Sequence, residues 1–466
     1  MTWLDYHRRR AVDIARTLSR TRELQRRERW PHAALDRHRQ QRLRQLVHHA
    51  VSHSSLWRER LAGALRGPVE LAKLPVLDKQ TLMERFDELI CDRRLSRDEL
   101  LAHLDGIEGD ELYLGEYRAM ASSGSSGHKG LFVYDRDGWV GILAQLARDN
   151  AIIGIPGPRL PRLRSAGIGG GSATHMSRRL TDTLAGVHRL CSLPATLPLD
   201  EIVSALNEFQ PDCLNAYPSI AALLAEEQAG GSLRIAPRWV STSGELCSAQ
   251  TAERIRAAFG VHPANLYSTT EGLWGCSCEH GQLHLFDDMT LVENVDSDGC
   301  PVLPGTPGTR LLVTNLFNRV QPLIRFEIAD VITVDPEPCA CGRSLLRLAA
   351  IEGRADDVLW LSGAGGPVAA HPLQFAALTS DRDVREFQIR QEGELLRVPV
   401  VLAQHADSTR AILRIHDALT ANLRRLGVAE PHIEVQPCAA LQRPASGKLR
   451  LVLADPAHQV KHARGY

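Results

Sequence analysis

The chain has 466 residues, of which 44% are hydrophobic, and 55 basic residues balance 55 acidic ones. The length predicts two or three folded domains, and the neutral charge balance argues against general binding of nucleic acid. No run of about 18 apolar residues occurs, which argues against a membrane-spanning helix, and the charged N-terminus lacks the apolar core of a signal peptide. The sequence therefore predicts a cytoplasmic protein with neither a membrane nor a nucleic acid as partner.

Helical patterns dominate the first 64 residues, which are rich in Arg, His, Leu and Ala. Leu43, Leu46 and Val47 recur at helical spacing and predict one apolar face. Farther along the chain, Asp78 is placed to cap a helix that begins at Lys79. The N-terminal part is therefore predicted to be helical.

A loop rich in serine and glycine spans residues 121–131 and reads ASSGSSGHKGL. Glycines and serine hydroxyls can direct several donors into one concavity, which suits an anion such as phosphate. The alternative is a flexible linker, but the apolar run Leu131–Tyr134 predicts a strand directly after the loop. The candidate phosphate-binding residues are Ser122, Ser123, Gly124, Ser125, Ser126, Gly127 and Lys129.

Short apolar runs alternate with helical patterns between residues 138 and 267. The first pattern, 138–153, predicts an amphipathic helix. Strands are predicted at 213–216, 238–241 and 265–267, and helices at 202–209, 220–229 and 251–259. Such alternation predicts crossover units and a mostly parallel sheet, in which ligands bind in the loops after the carboxyl ends of the strands.

Two of these loops carry residues suited to nucleotide chemistry. The segment 241–248 reads STSGELCS and contains Gly244 and Glu245, and the segment 267–272 reads YSTTEG. An aromatic ring can stack on a base, and a threonine with a glutamate can hold Mg²⁺ against phosphate oxygens. Ordinary turns are often rich in the same residues. The candidates in the second loop are Tyr267, Ser268, Thr269, Thr270 and Glu271.

The pattern changes again in the last third of the chain. Residues 283–334 contain short strands separated by turns, which predicts an antiparallel, barrel-like subdomain. The C-terminal part predicts a small α+β domain, with a strand at 395–402, a helix at 409–426 and a strand at 432–436. The segment RPASGKLRLV then places Lys448 on an exposed turn before a short strand.

Clustered cysteine and histidine residues predict a metal site. Cys339 and Cys341 lie two residues apart, and the earlier segment CSCEHGQLH offers two more thiols and two imidazoles. These donors favour Zn²⁺, and four of them form a closed tetrahedral site. The earlier candidates are Cys276, Cys278, His280 and His284. The alternative is a set of reduced cysteines that bind no metal.

Together and in this order, the motifs resemble those of the adenylate-forming superfamily of acyl-CoA synthetases and adenylation domains, in particular its phenylacetate–CoA ligase-like branch. SSGSSGHKG resembles the phosphate-binding loop of that branch, SGEL its Gly-Glu loop, and YSTTEG its Tyr-x-x-Thr-Glu element. PLIRFEIAD resembles the ribose-binding segment, IEGRADD the hinge motif, and SGKLR the turn with the catalytic lysine. The resemblance covers nearly the whole chain.

The resemblance implies a role for each motif. Lys448 would reach the α-phosphate of ATP and the attacking carboxylate, and Asp330 would accept hydrogen bonds from the ribose. Asp356 would be the pivot between a large N-terminal domain, 1–355, and a small mobile domain, 356–466. The catalytic set would be Lys448, Glu271 and Thr270, with the last two serving Mg²⁺. The ATP-binding set would be the serine- and glycine-rich loop with Gly244, Glu245, Tyr267, Ser268, Thr269, Asp330 and Arg354.

The resemblance also implies the fold and the metal site. The large domain would have mostly parallel α/β layers with the barrel-like subdomain at about 283–335, and a hinge would join it to the small α+β domain. The preferred ligands of a structural Zn²⁺ would be Cys278, His284, Cys339 and Cys341, with Cys276 and His280 as alternates. A homodimer is an open possibility for the assembly.

The implied reaction is the activation of a small carboxylic acid, of which an aromatic acid is one candidate, as an acyl-adenylate. Pyrophosphate would be released, and the acyl group would pass to a thiol, with CoA as the first candidate. One alternative is an adenylate-forming enzyme that does not use CoA, which would load a carrier protein, form an amide or ester, or transfer AMP to a phenolic cofactor. The other alternative is a non-catalytic nucleotide-binding or scaffold protein.

Overall fold

The computed structural model describes residues 3–122, 130–184, 187–381, 383–444 and 446–458. The α-helices in these ranges are α1 (Trp3–Arg27), α2 (His32–His53), α3 (Ser55–Leu61), α4 (Lys79–Glu84), α5 (Phe86–Leu89), α6 (Arg97–Asp105), α7 (Arg136–Ile152), α8 (Met176–Leu184), α9 (Leu199–Phe209), α10 (Pro218–Gly230), α11 (Ala249–Phe259) and α12 (Ser408–Arg425). Short 3₁₀ helices lie at Ala64–Arg66, Leu71–Lys73, Ala355–Asp357 and Pro372–Ser380. Within the described ranges, every helix is too short or too polar to cross a membrane.

The strands are β1 (Arg118–Ala121), β2 (Leu131–Tyr134), β3 (Arg164–Gly169), β4 (Arg189–Pro194), β5 (Cys213–Ala216), β6 (Trp239–Ser243), β7 (Ala264–Ser268), β8 (Trp274–Ser277), β9 (Leu283–Leu285), β10 (Thr290–Val295), β11 (Arg310–Asn315), β12 (Phe326–Ile328), β13 (Asp330–Val334), β14 (Arg347–Arg354), β15 (Leu359–Gly363), β16 (Gly366–Ala370), β17 (Val384–Phe387), β18 (Ile389–Glu392), β19 (Leu395–Leu402), β20 (His432–Pro437) and β21 (Val452–Leu453). Most predicted elements between 202 and 436 therefore occur, with ends that differ by at most three residues.

The N-terminal segment is helical, as its apolar periodicity predicts. Leu43, Leu46 and Val47 on α2 are buried. Trp57 on α3 is also buried, and its indole N–H donates to the carbonyl oxygen of Pro322, 3.0 Å away. This contact fastens the helices to the rest of the large unit.

The helix predicted to begin at Lys79 is α4. The carboxylate of Asp78 accepts a hydrogen bond from the backbone N–H of Thr81 at 2.6 Å, which satisfies a donor in the first turn of the helix. The predicted cap is therefore confirmed.

Nine strands form the central sheet, in the order β13-β14-β9-β8-β7-β6-β5-β3-β4. The strands from β4 to β7 pair in parallel, and the strands from β7 to β13 pair antiparallel. Helices α9, α10 and α11 pack on one face of the parallel half, over buried Ile168, Leu214 and Val240. The predicted α/β fold is confirmed, and its parallel part is the part with crossover helices.

The segment 283–335 divides its strands between two sheets. Strands β10, β11 and β12 form a small antiparallel sheet, whereas β9 and β13 belong to the central sheet. A bridge between Pro307 and Thr333 connects the chain before β11 to β13. The strands are therefore short and antiparallel, as the sequence predicts, but they do not all belong to one sheet.

The chain after residue 358 builds a separate apolar core. Strands β17 to β21 form one sheet, and α12 packs against it with Ile415, Leu419 and Leu423 buried. This core is distinct from the cores on the central sheet. This separate core agrees with the predicted small α+β unit. That a domain boundary lies at residue 355 stays a prediction.

Helix α7 is not the one-sided amphipathic helix that the sequence predicts. Every residue from Gly138 to Gln145 is buried, because α1, β2 and β8 all contact this helix. The periodicity of α7 cannot show this burial, since the covering elements lie elsewhere in the sequence.

A network of buried ion pairs lies near the end of α7. Arg148 Nε donates to Glu28 Oε1 at 2.9 Å, and Arg148 Nη1 donates to Asp288 Oδ1 at 2.8 Å. Glu28 also pairs with Arg343, at 2.9 Å. Buried charges are tolerated when partners compensate them, so the network ties the turn after α1, α7 and the chain segments before β10 and β14 together.

We expect Arg148→Met to lower the free energy of unfolding by about 3–5 kcal/mol, because Glu28 and Asp288 lose their shared buried partner. A urea titration followed by circular dichroism measures this change. The control is Arg256→Met on α11, an exposed arginine that pairs with Glu253, for which we expect a change within about 0.5 kcal/mol. Equal effects of the two substitutions would contradict the importance of the network.

Candidate active site

The carboxyl ends of four parallel strands open into one cavity of about 1330 Å³. β3 ends at Gly169, β5 at Ala216, β6 at Ser243 and β7 at Ser268, and the loops that follow them line the cavity. Ligands of open α/β sheets bind in this position. The turn with Lys448 lines the cavity from the C-terminal unit, so the site lies between the two units.

The loop after β7 carries Thr270 and Glu271, and buried side chains fix its main chain. The hydroxyl of Tyr134 donates to the carbonyl oxygen of Thr270 at 2.7 Å, and Asn315 Nδ2 donates to the carbonyl oxygen of Glu271 at 2.8 Å. Gly272 has a φ of +95°, and a Cβ at this position would lie 2.4 Å from Asn315 Nδ2. Only glycine fits there, and the loop is therefore preorganised.

Tyr267, Asp330 and Arg354 come together from three strands of the central sheet. The hydroxyl of Tyr267 donates a hydrogen bond to one carboxylate oxygen of Asp330, and Arg354 Nε lies 3.5 Å from the other. Asp330 and Arg354 are directly paired in the β13–β14 ladder. The sheet thus gathers three predicted nucleotide-binding residues, whose contact with ATP stays a prediction.

Gly244 and Glu245 follow β6 and face the C-terminal unit. Gly244 has a φ of +81°, and a Cβ there would lie 2.9 Å from Tyr217 Cε1 and 3.2 Å from Lys448 Cε. The carboxylate of Glu245 accepts a hydrogen bond from the backbone N–H of Leu449 at 2.6 Å. The predicted role of Glu245 in ATP binding is untested, and its carboxylate has a partner within the protein.

Lys448 does not lie on an exposed turn, contrary to the prediction. Its side chain lines the cavity, and its Nζ lies 5.8 Å from the centroid of the Tyr217 ring. Burial lowers the pKa of Lys448 from its ordinary value of 10.5, and Arg354 lowers it further. The polar turn sequence predicts exposure, but the loops after β5 and β6 cover the turn.

The cavity combines cations with carboxylates. Burial raises the pKa of Glu271 and lowers the pKa of Lys79, which interacts with Glu271 and Arg354. Lys79 lines the cavity at the start of α4. Sequence reasoning identified Lys79 only as a helix start, because nothing in the local sequence shows that α4 faces the loop after β7.

The serine- and glycine-rich loop lies mostly outside the described residues. The candidates outside them are Ser123, Gly124, Ser125, Ser126, Gly127 and Lys129. Ser122 lines the cavity, and its Oγ accepts a hydrogen bond from the N–H of Gly130 at 3.0 Å. The flanking strands β1 and β2 pair antiparallel, and Ser122, directly after β1, borders the cavity.

The remaining candidates also border the cavity, namely Ser268, Thr269 and Asp356. The Oγ1 of Thr269 accepts a hydrogen bond from the N–H of Leu273 at 3.3 Å, which closes the turn after β7. Asp356 lies in the 3₁₀ helix Ala355–Asp357, directly after Arg354 at the end of β14. Its position between the two units is compatible with a hinge, which stays a prediction.

A separate cluster contains Cys278, His284, Cys339 and Cys341, and their ligand atoms all lie within 4.8 Å of one another. The two Sγ atoms of Cys278 and Cys339 are 3.8 Å apart, and Cys341 Sγ lies 3.4 Å from His284 Nε2. The first distance exceeds the S–S bond of about 2.05 Å in a disulfide. The alternates Cys276 and His280 do not belong to this group, and His280 is exposed.

The donor set fits Zn²⁺. Three sulfurs and one nitrogen form the set that structural zinc prefers, and Zn–S bonds of about 2.3 Å in a tetrahedron separate the sulfurs by about 3.8 Å. His284 Nδ1 lies 3.3 Å from the carbonyl oxygen of Leu345, so donation there leaves Nε2 as the ligand atom. The cluster joins the β8–β9 hairpin to the loop after β13, and zinc binding stays a prediction.

No protein-family model matches the sequence. Over 206 residues the chain is 30% identical to the phenylacetate-coenzyme A ligase of Thermus thermophilus, and this alignment covers 41% of the chain and 45% of that ligase. Each alignment with a curated relative spans less than half of the relative's length. The chain also superposes on 2-hydroxyisobutyryl-CoA ligase in its postadenylation state, with a TM-score of 0.74, 20% identity and 94% of both chains covered.

The fold is that of 2-hydroxyisobutyryl-CoA ligase over nearly the whole chain. Part of its sequence is similar to the phenylacetate–CoA ligases.

Proposed function

We propose that this chain is an ATP-dependent, AMP-forming ligase that activates a small carboxylic acid as an acyl-adenylate. The observation that supports this most is the convergence of Lys448, Glu271, Asp330 and Arg354, from four separate motifs, on one cavity. Similarity to phenylacetate–CoA ligases favours the same reaction class.

In the first step, a carboxylate oxygen of the acid attacks the α-phosphorus of ATP. The bond from this phosphorus to the bridging oxygen breaks, and pyrophosphate leaves with the electron pair. Negative charge grows on the oxygens around phosphorus, and a positioned ammonium group stabilises it. We assign this role to Lys448, because lysine carries a compact charge on a long stem.

The other residues hold the nucleotide in this proposal. Glu271 with Thr270 offers hard oxygen donors for Mg²⁺, which would neutralise phosphate charge. Asp330 and Arg354 would bind the ribose, and Tyr267 would lie against the adenine. The main-chain groups of the loops after β6 and β7 and the serine- and glycine-rich loop would complete the site. Gly244 belongs to the loop after β6, Ser268 ends β7, and Thr269 begins the loop after β7. The serine- and glycine-rich loop would contribute Ser122 through Gly127 with Lys129.

The acceptor in the second step is a thiol in our proposal, with CoA as the first candidate. Its sulfur would attack the acyl carbon, the thioester would form, and AMP would leave. A structure of 2-hydroxyisobutyryl-CoA ligase holds 2-hydroxyisobutyryl-AMP and CoA in its thioesterification state. Carrier proteins, amines and hydroxyl groups are the alternative acceptors.

Cytoplasmic location and a homodimer also stay predictions.

The acid would bind beside Lys448. Gly169, Gly170, His175, Tyr217 and Ser243 line the cavity, and the Tyr217 ring lies beside Lys448. Two glycines and a serine beside the rings of His175 and Tyr217 leave room for a compact acyl group, so we propose a small acid as substrate.

Pyrophosphate exchange tests the function. Wild-type protein is incubated with ATP, labelled pyrophosphate and one compound from a panel of aromatic, hydroxylated and short aliphatic acids and phenols, with and without CoA. We expect exchange with at least one small acid, and thioester formation only when CoA is present. Exchange with phenols alone would identify AMP transfer to a hydroxyl group, and absence of exchange with the whole panel would contradict the proposal.

The lowered pKa of Lys448 predicts how acyl-adenylate formation depends on pH. The ammonium form is needed, so the rate should fall as the pH rises through a pKa that lies below 10.5. Arg354 strengthens this shift, whereas Glu245, Asp330 and Glu271 oppose it. The measurement is the pH profile of exchange at saturating ATP.

Lys448→Arg is the matched control for the pH profile. Its guanidinium stays charged up to a pH of about 12, so the alkaline decline should disappear from the remaining activity. The same alkaline decline in both proteins would assign it to another group.

A further inference from the structure

The turn that carries Lys448 is held against the central sheet by contacts that do not involve the lysine side chain. The N–H of Leu449 donates to Glu245 Oε1 at 2.6 Å. The hydroxyl of Tyr217 donates to the carbonyl oxygen of Ser446 at 3.2 Å. Residues on both sides of Lys448 are therefore fixed by the loops after β5 and β6.

Glu245 is well placed to act as the main anchor. Only 7% of its side chain is exposed, and its second oxygen accepts a hydrogen bond from the N–H of Ser219 at 3.0 Å. Ser219 lies in the first turn of α10, where free N–H groups and the helix dipole favour a carboxylate. Glu245 thus bridges the start of α10 and the lysine turn.

Arg443 completes the arrangement from the C-terminal unit. Its Nη1 donates to the carbonyl oxygen of Gly447 and to Ser219 Oγ, each at 3.0 Å, and lies 3.9 Å from Glu245. Its Nη2 pairs with Glu386 on β17. The arginine therefore links the sheet of the C-terminal unit, the lysine turn and the anchor.

We propose that Glu245 and Arg443 form a latch that positions Lys448 for the adenylation step and is released when the C-terminal unit moves. This inference rests on the proposed function. Glu245 and Arg443 are positioning residues here, because they act through the main chain of the turn.

The comparison structures support a latch that belongs to one arrangement of the two units. The chain matches the postadenylation state of 2-hydroxyisobutyryl-CoA ligase with a TM-score of 0.74, but the thioesterification state of the same ligase with 0.58. A rearrangement of this kind would separate Glu245 from Leu449. The buried carboxylate would then lose one hydrogen-bond donor, so the latch would favour the arrangement with the lysine in the cavity.

The first test needs no substrate. Lys448 is labelled with an amine-reactive acylating reagent over a range of pH, and its limiting modification rate at high pH, where the amine is unprotonated and its pKa no longer matters, is measured by mass spectrometry in wild type, Glu245→Gln and Arg443→Lys. A neutral amide is a weaker acceptor than a carboxylate, so we expect labelling about tenfold faster in Glu245→Gln. Labelling at the wild-type rate in both variants, with folding checked by circular dichroism, would overturn the latch.

The control is Arg385→Ala. Arg385 pairs with Glu226 on α10 at 2.6 Å, so this variant removes a different ion pair between the same two units. We expect labelling of Lys448 close to that of wild type. Equal acceleration in Arg385→Ala and Glu245→Gln would mean that any weakened docking exposes the lysine, and would overturn the specific role of Glu245.

The second test uses the reaction. Glu245→Gln should lower kcat of pyrophosphate exchange about tenfold and leave KM for ATP close to the wild-type value, because the lysine is displaced while the nucleotide site remains. A rise in KM with unchanged kcat would overturn positioning and assign Glu245 to ATP binding. Faster labelling of the variant together with an inactive wild type would support the latch and contradict the proposed function alone.

Discussion

Lys448→Ala should lower the rate of acyl-adenylate formation by about 10²–10³-fold, the usual effect of removing one group that stabilises charge in a transition state. The side chain lines the cavity with Glu271 and Asp330 nearby. Pyrophosphate exchange at saturating ATP and acid measures the loss. KM for ATP should change much less than kcat, because the ammonium group acts mainly on charge that develops during the reaction.

Lys73→Ala is the matched control for this prediction. Lys73 is an exposed lysine that pairs with Glu70 at 2.8 Å, and its removal should leave the exchange rate unchanged. Normal exchange by the Lys448 variant would refute the assignment of the lysine. Equal losses in both variants would point to a general effect of charge on the protein.

Cys341→Ser should remove the bound zinc and destabilise the fold. Wild-type protein should carry about one zinc per chain, since four ligands form one closed site. Serine is a poor replacement for a thiolate, so the variant should lose most of the metal. The free energy of zinc binding contributes to folding in such sites, and the melting temperature should therefore fall by several degrees. Elemental analysis and thermal unfolding measure the two effects.

Cys300→Ser is the control for the zinc prediction, because Cys300 is exposed and lies outside the cluster. It should keep both the metal and the melting temperature. A chelator should lower the melting temperature of wild type to that of Cys341→Ser and leave Cys341→Ser itself unchanged. Equal zinc in Cys341→Ser and wild type would contradict the site.

Short-range patterns predicted many elements well. The strand at 213–216 and the strand at 395–402 have the bounds of β5 and β19. Such strands are short apolar runs with clear turn signals on both sides. The cap at Asp78 was predictable for a similar reason, since a cap depends on residues three positions apart.

Properties that depend on distant contacts were not predictable in this way. The burial of α7 depends on α1 and β8, and the burial of Lys448 depends on loops around Tyr217 and Gly244. Likewise, SGEL indicates a nucleotide loop by resemblance, but only the contact with Leu449 shows that Glu245 holds the lysine turn.

The sequence by itself determined the α/β class of the fold, the order of the motifs and six cysteine and histidine candidates for the metal cluster, because these depend on local pattern and residue chemistry. The choice of four ligands among the six came from the family resemblance. The tertiary structure decided which motifs meet. It paired Asp330 with Arg354 across β13 and β14, and it placed Lys448 between the loops of the central sheet. The physical reason is that strand order and packing between the two units arise from contacts across the whole chain, which no short stretch of sequence specifies.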